Sequence, residues 1–343
     1  MFRIRAARAA DLDELVGVSE HLDSVNLPSH REKLAAALER AEQSFAGVLD
    51  SAKREYMFVL ENGADGRVVG SSMIFAQHGS RNAPHVFFDV LEEERYSASV
   101  DRHVHHRVLR MGYNYRGLTE MGGLVLLPEF RGHPARLGKL LSYVRFLYVA
   151  LHRDLFRDEI VSELMPPLEE DGRSLLWESL GRRFTGMTYQ EADQLSRENK
   201  EFIKALFPEE PIYACLLDEG AQAILGEVGP GTKGVEHMLR QIGFRYANRI
   251  DPFDGGPHFQ APTDEVTLIK SSRAARLVDV VAPGARTIAA IAMRESVGPP
   301  YVTAIVTPVD LANDTVALAE DARAGLGAKV GDRLGVLPLE TLP

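Results

Sequence analysis

The sequence is short of cysteine, of long apolar runs and of excess positive charge, and each shortage removes a class of protein. One cysteine, Cys215, in 343 residues excludes an internal disulfide and suits a reducing compartment. No stretch approaches the ~18 uninterrupted apolar residues of a transmembrane helix. The N-terminus is charged from Arg3 onward and lacks an apolar core of signal-peptide length. A cytoplasmic protein without membrane association is therefore expected. The formal net charge of -10 argues against a nucleic-acid surface, which is basic overall, while leaving room for local basic patches. What remains is globular in character, 45% hydrophobic and 26% charged, and long enough for two domains.

Phe2 to Ala6 alternates apolar and basic residues, the period of a short strand. Asp11 stands at a helix start, with Leu12, Leu15, Val16 and Leu22 on one face. Asn26-Leu27-Pro28-Ser29 interrupts this pattern, and a second helix is predicted over roughly Arg31 to Phe45. Tyr56 to Glu61 and Val68 to Ala76 read as paired strands about the Asn62-Gly63-Ala64-Asp65-Gly66 turn, and Pro84 to Val90 as another strand. Met121 to Leu127 is an apolar strand containing Gly122 and Gly123 and stopped by Pro128. Interior strand glycines mark a bulge or a close backbone approach. A turn rich in glycine and basic residues, Glu129 to Lys139, then opens a helix with Leu137, Leu140, Leu141, Val144, Leu147, Tyr148 and Leu151 on one face. Glu159 to Met165 is the next strand.

A short helix from Leu175 to Gly181 is expected to lead into a strand over Arg183 to Met187. The same helix–Gly–strand order returns at Met238 to Tyr246, with a mainly helical segment between. Beyond Asp251-Pro252-Phe253-Asp254-Gly255-Gly256-Pro257 the chain turns rich in Val, Ala and Ile, with frequent turn signals. This predicts an α/β domain over residues 1–260 and a small β-barrel domain over residues 261–343.

The order strand, loop, helix, strand suits acyl transfer from an acyl-CoA to an amine. The pyrophosphate needs backbone N–H groups at a helix N-terminus, where the dipole favours negative charge. The thioester oxygen needs an N–H donor as the tetrahedral intermediate forms. The amine needs a base, and the departing thiolate is helped by an acid. A bulged strand frees N–H groups near Leu124 and Leu126, with Val125 between them. Arg136, Leu137, Gly138 and Lys139 open the helix, and Arg131 adds a cation. The same residues also fit an ordinary strand–turn–helix with solvated charges, and pattern alone does not choose.

Three motifs resemble the arginine N-succinyltransferase family. They are Glu120-Met121-Gly122-Gly123-Leu124-Val125-Leu126-Leu127-Pro128-Glu129-Phe130-Arg131 with Gly138-Lys139-Leu140-Leu141-Ser142, then Trp177-Glu178-Ser179-Leu180-Gly181-Arg182-Arg183-Phe184, and Gly243-Phe244-Arg245-Tyr246 through Ile250 to Pro257. Pro211-Ile212-Tyr213 resembles the family too. The resemblance runs in order along nearly the whole chain. It implies an acetyltransferase-like (GNAT-type) α/β fold followed by a small β-barrel. It also implies transfer of succinyl from succinyl-CoA, a co-substrate, to the α-amine of L-arginine or a related basic amino acid, with no permanently bound cofactor. Leu124 matches the family's succinyl-CoA-binding leucine.

The chain departs from the family at three places. Gly229, in Val228-Gly229-Pro230, stands where the family's proton-donating histidine is expected. The Arg131–Gly138 loop is about two residues longer, and Asn26-Leu27-Pro28 replaces a Ser-Leu-Pro. Glu120 is the candidate base, or a strand-end carboxylate in an ion pair. Glu227 and His237 are the nearest replacements for the acid, or plain surface residues. Asp251 and Asp254 suit a turn or a guanidinium. His103 and His105 share a strand face without an evident third ligand, so no metal site is expected. Cys215 reads as a small buried hydrophobe. The alternatives to arginine succinylation are another amine or acyl-CoA in biosynthesis, or a non-catalytic CoA-binding subunit of a two-chain arginine/ornithine succinyltransferase. A homodimer or pairing with a related subunit accompanies these readings.

Overall fold

The structure is a computed structural model that describes residues 1–21, 27, 30–81, 83–196, 199–280 and 285–339. Leu22, Asn26, Pro28 and Ser29 lie outside the described residues. Among the described residues the strands are β1 (Phe2–Ala6), β2 (Glu55–Asn62), β3 (Val68–His78), β4 (His85–Ser97), β5 (Arg102–Asn114), β6 (Leu118–Leu126), β7 (Glu159–Glu163) and β8 (Ile212–Tyr213). They continue with β9 (Arg245–Ile250), β10 (Pro257–Pro262), β11 (Arg273–Leu277), β12 (Arg286–Glu295), β13 (Val302–Ala312), β14 (Thr315–Ala317) and β15 (Arg333–Pro338). Contacts divide the chain along another line than composition does. A first compact unit takes Met1–Gln77, Thr119–Asp158 and Pro262–Pro343, and a second takes His78–Leu118 and Glu159–Ala261.

In the first unit the strands run β6-β3-β2-β1-β13, and β13 then closes a five-stranded ring with β14, β11, β15 and β12. This ring is the β-barrel expected of the C-terminal region. Leu277, Ile305, Val309, Val316, Leu334 and Val336 fill it, supplied by the inward positions of alternating strands. Two helices, Arg31–Phe45 and Leu137–Leu151, belong to this unit, and their bounds agree with the periodicity. The second helix is buried along nearly its whole length from Leu141 to Val149, which explains why its sequence is apolar on more than one face.

The β1 alternation hides a charge. Arg5 is as buried as Ile4 and Ala6, because two carboxylates meet it there. Its Nε donates to Glu61 at 2.6 Å, and Nη1 and Nη2 donate to the two Asp11 oxygens at 2.7 and 2.8 Å. Asp11 also accepts the Arg8 N–H at 2.8 Å, so the chain entering the Leu12–Ser19 helix is tied to β1.

The second unit is ordered β7-β10-β9-β4-β5-β8. The β4–β5 hairpin runs from His85 opposite Asn114 to Ser97 opposite Arg102, so β4 extends well past the predicted end at Val90. Its outer half is polar and charged, and for that reason the hydrophobic pattern did not reveal it. Trp177 centres the core, stacked on Phe253 at 5.1 Å and donating its Nε1–H to the Met187 carbonyl at 3.0 Å. The segment between Tyr189 and Gln241 is mainly helical, as expected.

One predicted strand is absent. Residues Arg182–Thr185 continue helically from a π-type turn over Trp177–Gly181, and the stop comes at Gly186, with φ 72°. Gly181 is helical and lies against the Trp177 ring, where a Cβ would approach within 2.3 Å. It is a packing glycine, not the C-terminal cap.

Replacing Arg5 by Leu leaves Asp11 and Glu61 buried without their cation. Chemical denaturation is expected to show a loss of about 3–5 kcal/mol, with little recovery in Arg5→Lys, whose single ammonium cannot span both carboxylates.

Candidate functional site

In the first unit β6 carries a kink that its glycines allow. Gly123 has φ +58°, and a Cβ there would come within 2.8 Å of Met73 Cγ. Both conformation and contact therefore require glycine. The kink is held from beneath by Arg145, which is fully buried in the Leu137–Leu151 helix. Its Nη1 donates to the carbonyls of Gly122 (3.1 Å) and Met73 (3.3 Å), its Nε to the Ser142 carbonyl (3.1 Å) and its Nη2 to Ser142 Oγ (2.7 Å). Ser71 Oγ donates to the Gly123 carbonyl at 3.2 Å. Beyond the kink Leu124 and Leu126 are half-buried and Val125 is buried.

The loop after β6 ends at Arg136, which adopts a left-handed conformation at φ 51° and starts the helix. A non-glycine residue there costs about 1–2 kcal/mol, a strain that recurs at functional loops. Among the described residues no side chain caps this helix N-terminus. A cavity of about 460 Å³ opens beside it, lined by Phe2, Pro134, Arg136, Lys139, Leu140 and Tyr143 among others. Burial lowers the Lys139 pKa, and the Arg136 charge lowers it further. Burial also pushes Tyr143 up to about 12, and its hydroxyl makes no hydrogen bond. Gly138 has nothing within 4 Å of its Cβ position, so space is free over the first helical turn. Arg131 instead folds back and donates from Nε to the Leu126 carbonyl at 3.0 Å. The first unit thus gathers Leu124, Val125, Leu126, Arg131, Arg136, Leu137, Gly138 and Lys139 into one strand–loop–helix. Glu120 lies at the other end of β6, only 2% exposed. Burial raises the neighbouring Glu55 carboxyl, Arg40 opposes that, and the Glu120 charge adds to it.

The second unit holds a cluster that sequence reasoning missed. His78 ends β3, His85 begins β4, Glu163 ends β7 and His258 lies on β10. Glu163 Oε1 is 2.9 Å from His85 Nε2, 3.5 Å from His258 Nε2 and 3.6 Å from His78 Nε2. Burial would raise the Glu163 carboxyl, but His258, His85 and His78 hold it well below its usual range. Burial, with the His78 charge, brings His85 down to about 3. These histidines stand singly in sequence, up to 180 positions apart by their numbering (78 to 258), so no spacing motif marks them.

Asp251 and Asp254 serve the turn. Asp251 Oδ1 accepts the N–H groups of Phe253 (2.7 Å) and Asp254 (3.2 Å), and Asp254 Oδ1 accepts that of Gly256 (2.7 Å). Burial raises both carboxyls. The Glu163 charge helps push Asp251 to about 7, and the Asp251 charge raises Asp254 further.

Glu227 is exposed in the turn after the Glu219–Ile224 helix, and His237 is exposed on the Lys233–Gln241 helix. Gly229 donates its N–H to the Met165 carbonyl at 2.8 Å. A Cβ on it would stand 2.5 Å from the Pro166 carbonyl oxygen, so the backbone itself excludes a side chain there. His103 Nδ1 lies 3.1 Å from Glu94 Oε1, and Glu92, Glu93 and Glu94 lie opposite Arg107, His106 and His105 across the β4–β5 ladder. This is cross-strand charge pairing. Cys215 is exposed, not buried, because it falls in the short turn after β8.

Comparison with known proteins agrees with the motifs. A sequence profile of the family described as "Arginine N-succinyltransferase beta subunit" matches residues 2–268. The "Arginine N-succinyltransferase subunit beta" of Pseudomonas aeruginosa is 35% identical over 275 residues, 79% of each chain. The "Arginine N-succinyltransferase" of Yersinia enterocolitica is 31% identical over 346 residues, covering 99% of this chain and 98% of its own. The solved structure of arginine/ornithine succinyltransferase subunit AI from Pseudomonas aeruginosa superposes with a TM-score of 0.81 at 28% identity, covering 98% of both chains.

The raised Asp254 carboxyl sets a pH dependence. Its contribution to stability is complete below the unfolded value near 3.8 and is lost as pH rises through the higher native value. Asp254→Asn keeps the acceptor for Gly256 and cannot ionise. Its melting temperature relative to the wild type is expected to rise between pH 5 and pH 8, and a pH-independent difference would refute this account.

Proposed function

The chain belongs to the arginine N-succinyltransferase family, and we propose that it transfers succinyl from succinyl-CoA to the α-amine of L-arginine. The observation that carries the CoA half of this reading is the kinked β6 followed by an uncapped helix N-terminus flanked by Arg136 and Lys139. Backbone N–H groups and the helix dipole at such a terminus favour a pyrophosphate, and the adjoining cavity offers apolar wall for the rest of the cofactor-sized ligand.

The chemistry proposed is direct attack. The amine nitrogen adds to the thioester carbon, forming the C–N bond, an N–H near Leu124 to Leu126 stabilises the resulting oxyanion, and the C–S bond then breaks as the carbonyl re-forms, leaving the amide and the CoA thiolate. The amine proton passes to Glu120, directly or through water. The leaving thiolate, with a thiol pKa of ~8.5, depends less on an acid than an alkoxide does. Gly229 is thus compatible with turnover, and Glu227 and His237 are the candidate proton donors. A second reading is supported by the subunit names of the relatives: the chain works beside a related chain, and Gly229 belongs to the non-catalytic partner.

Purified protein given succinyl-CoA is expected to release CoA, detected by a thiol reagent, only when L-arginine or a related basic amino acid is added. Inactivity with every amine, while calorimetry still shows CoA binding, would favour the second reading. A Cβ at Gly138 meets no atom within 4 Å, and Gly138→Asp, shown folded by circular dichroism and compared with Gly138→Asn to isolate the charge, is expected to weaken CoA binding by about 10-fold or more. Glu120→Gln is expected to lower kcat by ~10²-fold while sparing CoA affinity. An unchanged rate and pH profile would remove Glu120 from the mechanism.

A further inference from the structure

The cluster at the end of β7 has no task in acyl transfer as derived above, and its geometry is unusual for plain hydrogen bonding. His85 is 2% exposed, yet neither of its ring nitrogens makes a hydrogen bond of acceptable geometry. Glu163 Oε1 is likewise buried without one, although it lies only 2.9 Å from His85 Nε2. Nearly all buried polar atoms are satisfied, and an orphan calls for an explanation such as a bound ion. Two such atoms, close together but out of line for a good hydrogen bond, stand as two ligands of one cation do.

The remaining distances fit. One ligand atom from each of His78, His85 and Glu163 lies within 4.8 Å of the others. Tetrahedral zinc, with bonds of roughly 2.0–2.2 Å, sets its ligand atoms about 3.3–3.5 Å apart. The observed separations from Glu163 Oε1 are 2.9 and 3.6 Å. His258 stacks on His85, with ring centroids 5.2 Å apart and planes 23° from parallel, and its Nε2 is 3.5 Å from the same carboxylate oxygen. The donor set, imidazole nitrogen with one carboxylate oxygen, is that of zinc rather than of magnesium or calcium.

The charges call for a cation as well. Arg and Lys are absent from the ion pairs that the structure gives Glu163, whose partners are His78, His85 and His258. A buried carboxylate without a paired or coordinated cation is costly.

We propose that His78, His85 and Glu163 form a zinc site, with His258 packed behind it as a positioning residue for Glu163 and His85. His85 and His258 close one side, while His78 and Glu163 are 21% and 24% exposed and leave the other side accessible to solvent. The site joins the end of β3, the start of β4 and the end of β7, segments far apart in sequence, so the ion acts as a cross-link within the second unit.

The test uses the full-length protein, stripped with a chelator and dialysed, and needs no acyl-transfer assay. Titration with Zn²⁺ is expected to saturate at one equivalent per chain with a Kd of about 1 μM or tighter, and to raise the melting temperature. Co²⁺ in its place should give the intense visible bands of tetrahedral coordination. His85→Ala and Glu163→Gln are expected to lose at least about 100-fold in affinity. His78→Gln, at the accessible rim, provides the same test should the buried variants fail to fold. The double variant His103→Ala/His105→Ala controls for surface histidines and should bind as the wild type does. Absence of binding at 100 μM Zn²⁺, or equal affinity in wild type and folded His78→Gln, would overturn the proposal.

Discussion

The grip of Arg145 on β6 is the constraint on which the first unit's chemistry depends. A guanidinium buried without a carboxylate is costly by itself, and burial pulls its pKa downward. Here four acceptors answer it, and two of them, the carbonyls of Gly122 and Met73, belong to adjacent strands at the kink. Were a leucine present, both carbonyls would be left in an apolar interior, each at about 1–3 kcal/mol. The kink at Gly123 and the arginine are therefore one device. The first turns peptide groups out of the ladder, and the second compensates the groups turned inward. In the proposed mechanism this holds the backbone from which the N–H groups near Leu124 and Leu126 would meet the oxyanion.

The two units differ in how they compensate enclosed charge. The first encloses arginines, Arg5 between two carboxylates and Arg145 among carbonyls and a hydroxyl. The second encloses acids. Asp251 and Asp254 are engaged by the backbone of the turn they shape, and both are held toward the protonated form by burial. Glu163 is held toward ionisation by its three histidines. A turn whose carboxyls are biased toward neutrality thus lies within electrostatic reach of a strand-end carboxylate biased toward charge. The Gly255-Gly256 pair makes room for this: a Cβ at 256 would come within 2.3 Å of the Leu164 carbonyl oxygen, one residue from Glu163.

Periodicity made the helices at Arg31–Phe45 and Leu137–Leu151 legible, along with β2, β3, the kinked β6 and the barrel's strand-rich character, because each pairs a clear apolar period with turn residues. Where packing outweighed local signals, reading failed. Gly181 looked like a helix end, but it yields to Trp177 and the helix runs on to Gly186. The outer half of the β4–β5 hairpin has no apolar period, since its opposed positions are polar, Glu92 to Glu94 against His105 to Arg107. Arg145 was hidden by its own setting: an arginine among Tyr143, Val144, Phe146 and Leu147 was a signal of burial that a count of apolar positions passes over. The His78–His85–Glu163 cluster was illegible in principle without the fold, because its members come from three separate strand ends. The strand–loop–helix proposed to bind CoA was legible as structure because its parts are contiguous.

Gly229 shows why a missing side chain need not mean a missing activity. The peptide there is not an open slot from which a histidine has been deleted. Its N–H is bonded to Met165, and the space beyond its Cα is taken by the Pro166 carbonyl. Thr232 secures the same segment, its hydroxyl donating to the Met165 carbonyl at 2.9 Å. Restoring histidine would push against the backbone rather than re-enter a prepared site. Failure of Gly229→His to raise a rate would therefore say nothing of whether the family's acid matters. The catalytic requirement is better judged from the leaving group. A thiolate departs at neutral pH with little protonation, whereas the amine cannot attack until it has lost its proton, so the base is the group the reaction is least able to forgo. On the mechanism proposed for this chain that requirement falls on Glu120, and protonation of the leaving thiolate is the step that solvent can supply.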